Sequence, residues 1–181
     1  MQEYRVSHND LPPEGKVFFV VEPAVWTTPL REFHIDCRID VPLKARIHVF
    51  PADNGWLVRG TLQGRIIVPC SRCAEDAVVP IDAHFENFEA ISDQDENAFP
   101  PVDNETDACV VWEGNVPMLD LAAVCWEEFV LALPVTPLCR EDCKGLCATC
   151  GANLNEESCT CKNEVDDPRM AKLRGLIVHN G

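Results

Sequence analysis

Apolar and polar positions alternate most cleanly between residues 43 and 66. Asp53-Asn54-Gly55 interrupts the alternation with the residue types that tight turns favour, which predicts a β-hairpin. With Asn54-Gly55 at the turn centre, Leu43 faces Ile66, Ile47 faces Leu62 and Val49 faces Gly60. The other face then pairs Lys44 with Arg65, Arg46 with Gln63, and His48 with Thr61. A slip of one residue would invert both faces, so the pattern fixes which side of the hairpin is apolar. A third strand is predicted over residues 78–90, after the turn at Cys70 and Cys73. Upstream, residues 4–7 and 17–21 read as short strands separated by the turn-rich Asn9-to-Gly15 segment. A short helix is expected over 29–34, with Pro29 in its first turn, where the missing N–H costs little.

Beyond residue 91 the pattern changes. Residues 92–107 are rich in Asp and Glu, contain Pro100-Pro101, and read as an exposed acidic linker. A short apolar strand is expected at 109–112 and a helix over 118–133. Leu119, Ala122, Trp126, Phe129, Val130 and Leu133 recur at helical spacing there, with Asp120 in the first turn and Pro134 as the stop. Such a stripe is expected to face the core rather than a partner. A last helix starts at Asp167-Pro168, with Met170, Leu173 and Leu176 or Ile177 on one face. The expected class is α+β: an N-terminal antiparallel sheet with a few helices, then a zinc-ribbon-like segment. The expected units are a sheet region with the first cysteine pair (1–91), the linker (92–107), a strand and helix packed on the sheet (108–138), and a cysteine-rich metal-binding segment with a helix (139–181).

Charge sharpens this outline. The net charge is −15, and residues 73–138 hold 15 of the 30 carboxylates with no Lys or Arg. The rest of the chain is balanced. Such a field repels phosphates and favours a basic protein partner. Within the stretch, Asp93, Asp95, Glu96, Asp103, Glu105 and Asp107 are the candidate partner-binding residues. The polar hairpin face, with Lys44, Arg46, Arg59 and Arg65, is the candidate nucleic-acid contact. The bland alternative for both is a solvated surface.

Eleven cysteines are too many to be incidental. No apolar run approaches the roughly 20 residues of a membrane helix, and Met1-Gln2-Glu3-Tyr4 lacks the start of an export signal. A cytoplasmic chain is therefore expected, where dense cysteines bind metal rather than form disulfides. Eight fall into close pairs: Cys70/Cys73, Cys139/Cys143, Cys147/Cys150 and Cys159/Cys161. Two such turns supply one tetrahedral zinc with its four thiolates. The preferred grouping closes one site with Cys147, Cys150, Cys159 and Cys161, and a second with Cys70, Cys73, Cys139 and Cys143. The competing set uses Cys139, Cys143, Cys147 and Cys150, and strands the remaining pairs. Two Zn2+ ions are the expected cofactors, with an iron–sulfur cluster as the alternative. Cys37, Cys109 and Cys125 stand alone and read as small buried apolar residues.

No enzymatic activity is expected. Pro69-Cys70-Ser71-Arg72-Cys73 near His84-Phe85-Glu86 has the elements of a zinc deaminase, but in reversed order and in strands. His34-Ile35-Asp36 has the right order and lacks the glutamate. No helix pattern follows Cys70-x-x-Cys73 as a thioredoxin-type motif would require.

Taken together, Cys70-Ser-Arg-Cys73, Ala132-Leu133-Pro134, the run from Leu138 to Asn155, Cys159-Thr-Cys161 and Asp167-Pro168-Arg169 resemble the YceD family. These are the bacterial and plastid large ribosomal RNA subunit accumulation proteins. The resemblance implies a role in accumulating or processing large-subunit ribosomal RNA without a defined catalytic activity. It also implies an assembly context, since such genes often neighbour one for a zinc-ribbon ribosomal protein. The partners to expect are a basic ribosomal protein or the pre-ribosomal large-subunit particle, with no membrane. The alternative is a general zinc-ribbon nucleic-acid-binding module in transcription or translation.

Overall fold

A computed structural model describes residues 4–91 and 109–161. The expected acidic linker and the helix at Asp167-Pro168 lie outside the described residues. In chain order the elements are β1 (Arg5–Ser7), a 3-10 turn (His8–Asp10), β2 (Lys16–Val20), α1 (Ala24–Glu32), β3 (Arg38–Ala52), β4 (Gly55–Pro69), β5 (Asp76–Ala90), β6 (Val110–Glu113), β7 (Val116–Asp120) and α2 (Leu121–Ala132). They form an α+β arrangement of antiparallel sheets with two helices.

The larger sheet has the order β2-β3-β4-β5. Its three ladders follow from alternation, because the central strands β3 and β4 each bury one side-chain row. Leu43, Ala45, Ile47 and Val49 on β3 lie beside Trp56, Val58, Leu62 and Ile66 on β4, all at most 2% exposed. Helix α2 covers this face with Val124, Cys125 and Phe129, and α1 adds Val25, Trp26 and Leu30. Trp26 meets Phe129 edge-on, with ring centroids 6.0 Å apart. Fully burying each such side chain is worth about 1.5–3 kcal/mol relative to exposure, so this layer holds the helices on the sheet.

The hairpin forms, with its register two residues from the expected one. Ala52 pairs with Gly55, so Asp53 and Asn54 make the turn. Ala45 then faces Leu62, Ile47 faces Gly60 and Val49 faces Val58, while Lys44, Arg46 and His48 face Gln63, Thr61 and Arg59. A shift of two preserves parity, so both faces keep their predicted character. Neither Asp53 nor Asn54 takes a positive φ. Gly55 does, at 151°, and opens β4 where an added Cβ would collide with the Glu89 carbonyl on β5. The glycine serves a close strand approach rather than the turn.

Two helix expectations are corrected. Helix α1 begins five residues before the expected start, so Pro29 sits inside it. The pattern at 29–34 missed Val25 and Trp26, whose burial outweighs the hydrogen bond that Pro29 removes. The helix ends where His34 turns left-handed (φ 53°), with Ile35 N–H donating to Leu30 and His34 N–H to Arg31. Residues 118–120 are strand, not helix. Asp120 is the N-cap of α2 rather than a first-turn residue, and accepts from Ala122 N and Ala123 N at 3.0 and 3.2 Å. The missed strand β7 pairs with β6 through Gly114-Asn115, where Gly114 has φ 64°. β1 joins on the far side of β7 to give the order β1-β7-β6. Among the described residues, no helix is long and apolar enough to cross a membrane.

Candidate metal centres

The end of β4 and the start of β5 are joined by a tight loop carrying Cys70 and Cys73. Ala74 N–H donates to the Cys70 carbonyl at 2.9 Å, and Cys70 N–H to the Glu75 carbonyl at 2.8 Å. Closing the loop requires Ala74 to adopt a left-handed φ of 62°. Farther along, Gly151 N–H donates to the Cys147 carbonyl at 2.8 Å, and Gly151 has φ 75°. The two C-x-x-C turns are thus built alike, with alanine in one where the other has glycine.

Strap-like backbone contacts bring the C-terminal segment to the first turn. Ser71 N–H donates to the Pro137 carbonyl at 2.8 Å, and Leu146 N–H to the Arg72 carbonyl at 3.1 Å. The Arg72 guanidinium donates to the Cys143 carbonyl at 2.7 Å. Gly145 allows this approach, with φ 76° and room for a Cβ only 3.0 Å from the Arg72 carbonyl oxygen. Cys139 and Cys143 therefore arrive opposite Cys70 and Cys73.

Two tetrads result: Cys70, Cys73, Cys139 and Cys143, and Cys147, Cys150, Cys159 and Cys161, with the sulfurs of each within 4.8 Å of one another. This is the preferred grouping of the sequence, not the competing one. Cys70 Sγ lies 3.8 Å from Cys143 Sγ, and Cys73 Sγ lies 3.5 Å from Cys139 Sγ. These separations far exceed a disulfide bond of about 2.05 Å. They suit four sulfurs at about 2.3 Å around one tetrahedral ion. The donor set fits zinc, whose dication would hold the thiolates together.

Burial separates the two centres. In the first tetrad Cys70, Cys73 and Cys143 are buried and Cys139 is half-buried; in the second only Cys147 is buried, Cys159 and Cys161 are half-buried and Cys150 is exposed. Within each tetrad the thiols are driven apart in acidity. Burial opposes ionisation of Cys70, but N–H groups of Arg72, Cys139 and Cys73 outweigh it and lower the thiol to about 6. The N–H groups of Cys150 and Thr149 lower Cys147 to about 6. Burial and the neighbouring sulfurs push Cys139 up to about 12, and Cys150 with burial pushes Cys161 up to about 12. Four thiolates crowd together only around a cation. Asn155 braces the first centre: its Nδ2 reaches Cys143 Sγ at 3.4 Å, and its Oδ1 accepts from Lys144 N–H at 2.7 Å.

The other candidates are placed as follows. Lys44, Arg46, Arg59 and Arg65 all stand on the open face of the four-stranded sheet, away from α2. Arg59 pairs with Glu86 at 2.6 Å and Arg65 with Asp40 at 2.5 Å. His84 and Glu86 lie on that same face, Glu86 beside Arg59, whereas Cys70 and Cys73 belong to the first tetrad. Asp93, Asp95, Glu96, Asp103, Glu105 and Asp107 lie outside the described residues. Cys109 and Cys125 are buried, and burial raises both thiols; Cys37 is half-buried and raised to about 11 by burial and Asp36. Sequence reasoning missed a cluster of Glu89, Cys109 and Glu127. The Cys109 thiol donates to Glu127 Oε2 at 3.2 Å, and no spacing in the sequence announces that contact.

The sequence profile of the family described as large ribosomal RNA subunit accumulation protein YceD matches residues 58–177. The chain is 30% identical over 131 residues to an uncharacterised protein of Mycobacterium tuberculosis, covering 72% of this chain and 60% of that one. It is 25% identical over 158 residues to the chloroplastic large ribosomal RNA subunit accumulation protein YCED homolog 1 of Arabidopsis thaliana, covering 75% and 48%. The corresponding maize protein is 30% identical over 133 residues, covering 57% and 43%. The chain thus spans 60% or less of the length of these relatives. No solved structure matches. With the profile match running from β4 through both tetrads, the chain belongs to the YceD family of large ribosomal RNA subunit accumulation proteins.

Proposed function

We propose that this chain is a non-catalytic, zinc-stabilised factor of the reducing cytoplasm that promotes accumulation or processing of large-subunit ribosomal RNA. It does so by holding a component of the maturing subunit. The observation that carries the reading is the family match across two closed cysteine tetrads. Zinc would supply structure alone, because four thiolates fill its coordination and leave no position for a reacting water. The chain's own residues do the rest. Cys70, Cys73, Cys139 and Cys143 would tie the segment after α2 to the β4–β5 turn, and Arg72 and Gly145 keep that junction tight.

The acidic stretch supports a basic ribosomal protein as the component held. Four of its carboxylates are spent on ion pairs: Asp76 with Arg38, Glu86 with Arg59, and Glu113 and Asp120 with Arg5. Glu128 is buried against Asn87 at 2.6 Å. Glu75, Glu89 and Glu127 have no ion pair among the described residues, and six further carboxylates stand between residues 93 and 107. Attraction through this set weakens as salt shortens screening to about 8 Å at physiological strength. Changing Asp93, Asp95, Glu96, Asp103, Glu105 and Asp107 to Asn or Gln should weaken capture of purified basic large-subunit proteins, with metal content unchanged. Undiminished capture, or normal large-subunit RNA levels in cells lacking the protein, would sink the reading.

A further inference from the structure

We propose that the open face of the four-stranded sheet is a platform for single-stranded RNA. The choice of RNA rests on the function proposed above; the preference for a single strand rests on the side chains themselves.

Charge is the first observation. Five of the chain's 15 Lys and Arg stand on this face (Arg38, Lys44, Arg46, Arg59, Arg65), beside four of its 30 carboxylates (Asp40, Asp76, Asp82, Glu86). One positive charge is left over, in a chain of net charge −15. Screening within about 8 Å lets this local balance, rather than the total, govern a close ligand. Three of the arginines are held by Asp76, Glu86 and Asp40, and Asp82 accepts from Gln63 at 3.0 Å. Lys44 and Arg46 have no carboxylate partner among the described residues. They stand two residues apart on β3, about 7 Å along the strand, with both head groups available to phosphates.

Aromatic placement is the second. Phe19 on β2 is 65% exposed and Phe88 on β5 is 55% exposed, both on this face. Phe19, Arg46, Thr61 and His84 form one row across all four strands. Phe50, Leu57 and Phe88 form a second row, where the Phe50 ring lies tilted against His48 with centroids 3.9 Å apart and sits under the Arg59 guanidinium at 5.6 Å. Exposed rings interleaved with cations accept the flat faces of unpaired bases and hold the intervening phosphates. A duplex keeps its bases stacked inside and offers nothing to these rings.

The test is fluorescence anisotropy with a labelled mixed-sequence single-stranded RNA of about 10 nucleotides, the size one such sheet accommodates, and a duplex of the same length. The wild-type chain should bind the single strand in preference to the duplex. Phe19→Ala with Phe88→Ala should weaken binding roughly tenfold or more. Lys44→Glu with Arg46→Glu should abolish it and remove most of its salt dependence. All four positions are exposed, so circular dichroism and metal content should not change. No binding by the wild type, equal binding of duplex, or equal binding by the variants would overturn the proposal. So would loss of basic-protein capture by the charge reversal with no RNA bound, which would assign the face to a protein. Cells carrying only the reversed variant separate the two readings. Normal large-subunit RNA there would overturn the sheet platform and leave the family role standing, while a defect repaired by restoring Lys44 and Arg46 supports both.

Discussion

Ala74 does in the first cysteine turn what Gly151 does in the second. Both close a C-x-x-C turn by donating to the carbonyl of its first cysteine, and both have positive φ, at 62° and 75°. A Cβ makes that conformation cost about 1–2 kcal/mol. Local burial of Cys70 and Cys73 evidently outweighs this, since the turn forms. Ala74→Gly should therefore stabilise the fold by roughly 0.5–1 kcal/mol, after the added flexibility of the unfolded chain is subtracted. Thermal unfolding of the metal-loaded protein measures it, and a lower midpoint would show that the strain is not there. Positive φ at an alanine is invisible in sequence. The second turn was legible because glycine advertises it.

Strand pairing is decided partly by glycines on the core face of β4. Gly60 on β4 pairs with Phe85 on β5 and Ile47 on β3. The Phe85 ring lies over it, occupying the space where a Cβ would project. Gly64 likewise receives Leu43, whose Cδ2 would be 2.7 Å from an added Cβ. The core face of β4 thus alternates large residues with gaps that its neighbours fill. Gly60→Val should overpack this layer and destabilise by about 1–3 kcal/mol. Adding Phe85→Ala should recover part of the loss by vacating the same space, a coupling that denaturant titration of both variants would measure. Independent, additive losses would refute the packing argument.

At the scale of the molecule, the first tetrad joins distant chain segments and the second organises a local loop. Structural zinc contributes apparent binding energy of about 10–16 kcal/mol in small peptides, comparable to the roughly 5–15 kcal/mol stability of a domain. Elemental analysis should find two equivalents of zinc per chain. Cys147→Ser should remove one equivalent and raise hydrogen exchange within 145–161, leaving the hairpin protected. Cys70→Ser should remove the other and also loosen residues 137–146 from the β4–β5 turn. Indistinguishable exchange patterns would refute two separate centres, and iron with visible absorbance would refute zinc.

What the sequence alone determined is whatever short-range chemistry marks. The apolar face of the β3–β4 hairpin is fixed by a period of two, which survives a two-residue register shift. Close spacing fixes the four cysteine pairs, while which pairs share a site is decided by the contacts of Ser71 with Pro137 and of Arg72 with Cys143 and Leu146. Gly114-Asn115 was a readable hairpin signal beside β7, yet the helical spacing that begins at Leu119 masked it. Tertiary structure decided the rest. Helix α1 starts at Ala24 because Trp26 finds Phe129, more than a hundred residues away, and that contact outweighs the local objection of Pro29. β1 joins β7 across a similar distance. Arg59 and Arg65 appear in sequence as free cations, and only the folded sheet reveals that Glu86 and Asp40 hold them while Lys44 and Arg46 stay open. Local rules report backbone preference and periodicity; the pairing of charges and the docking of elements depend on which distant surfaces bury the most apolar area together.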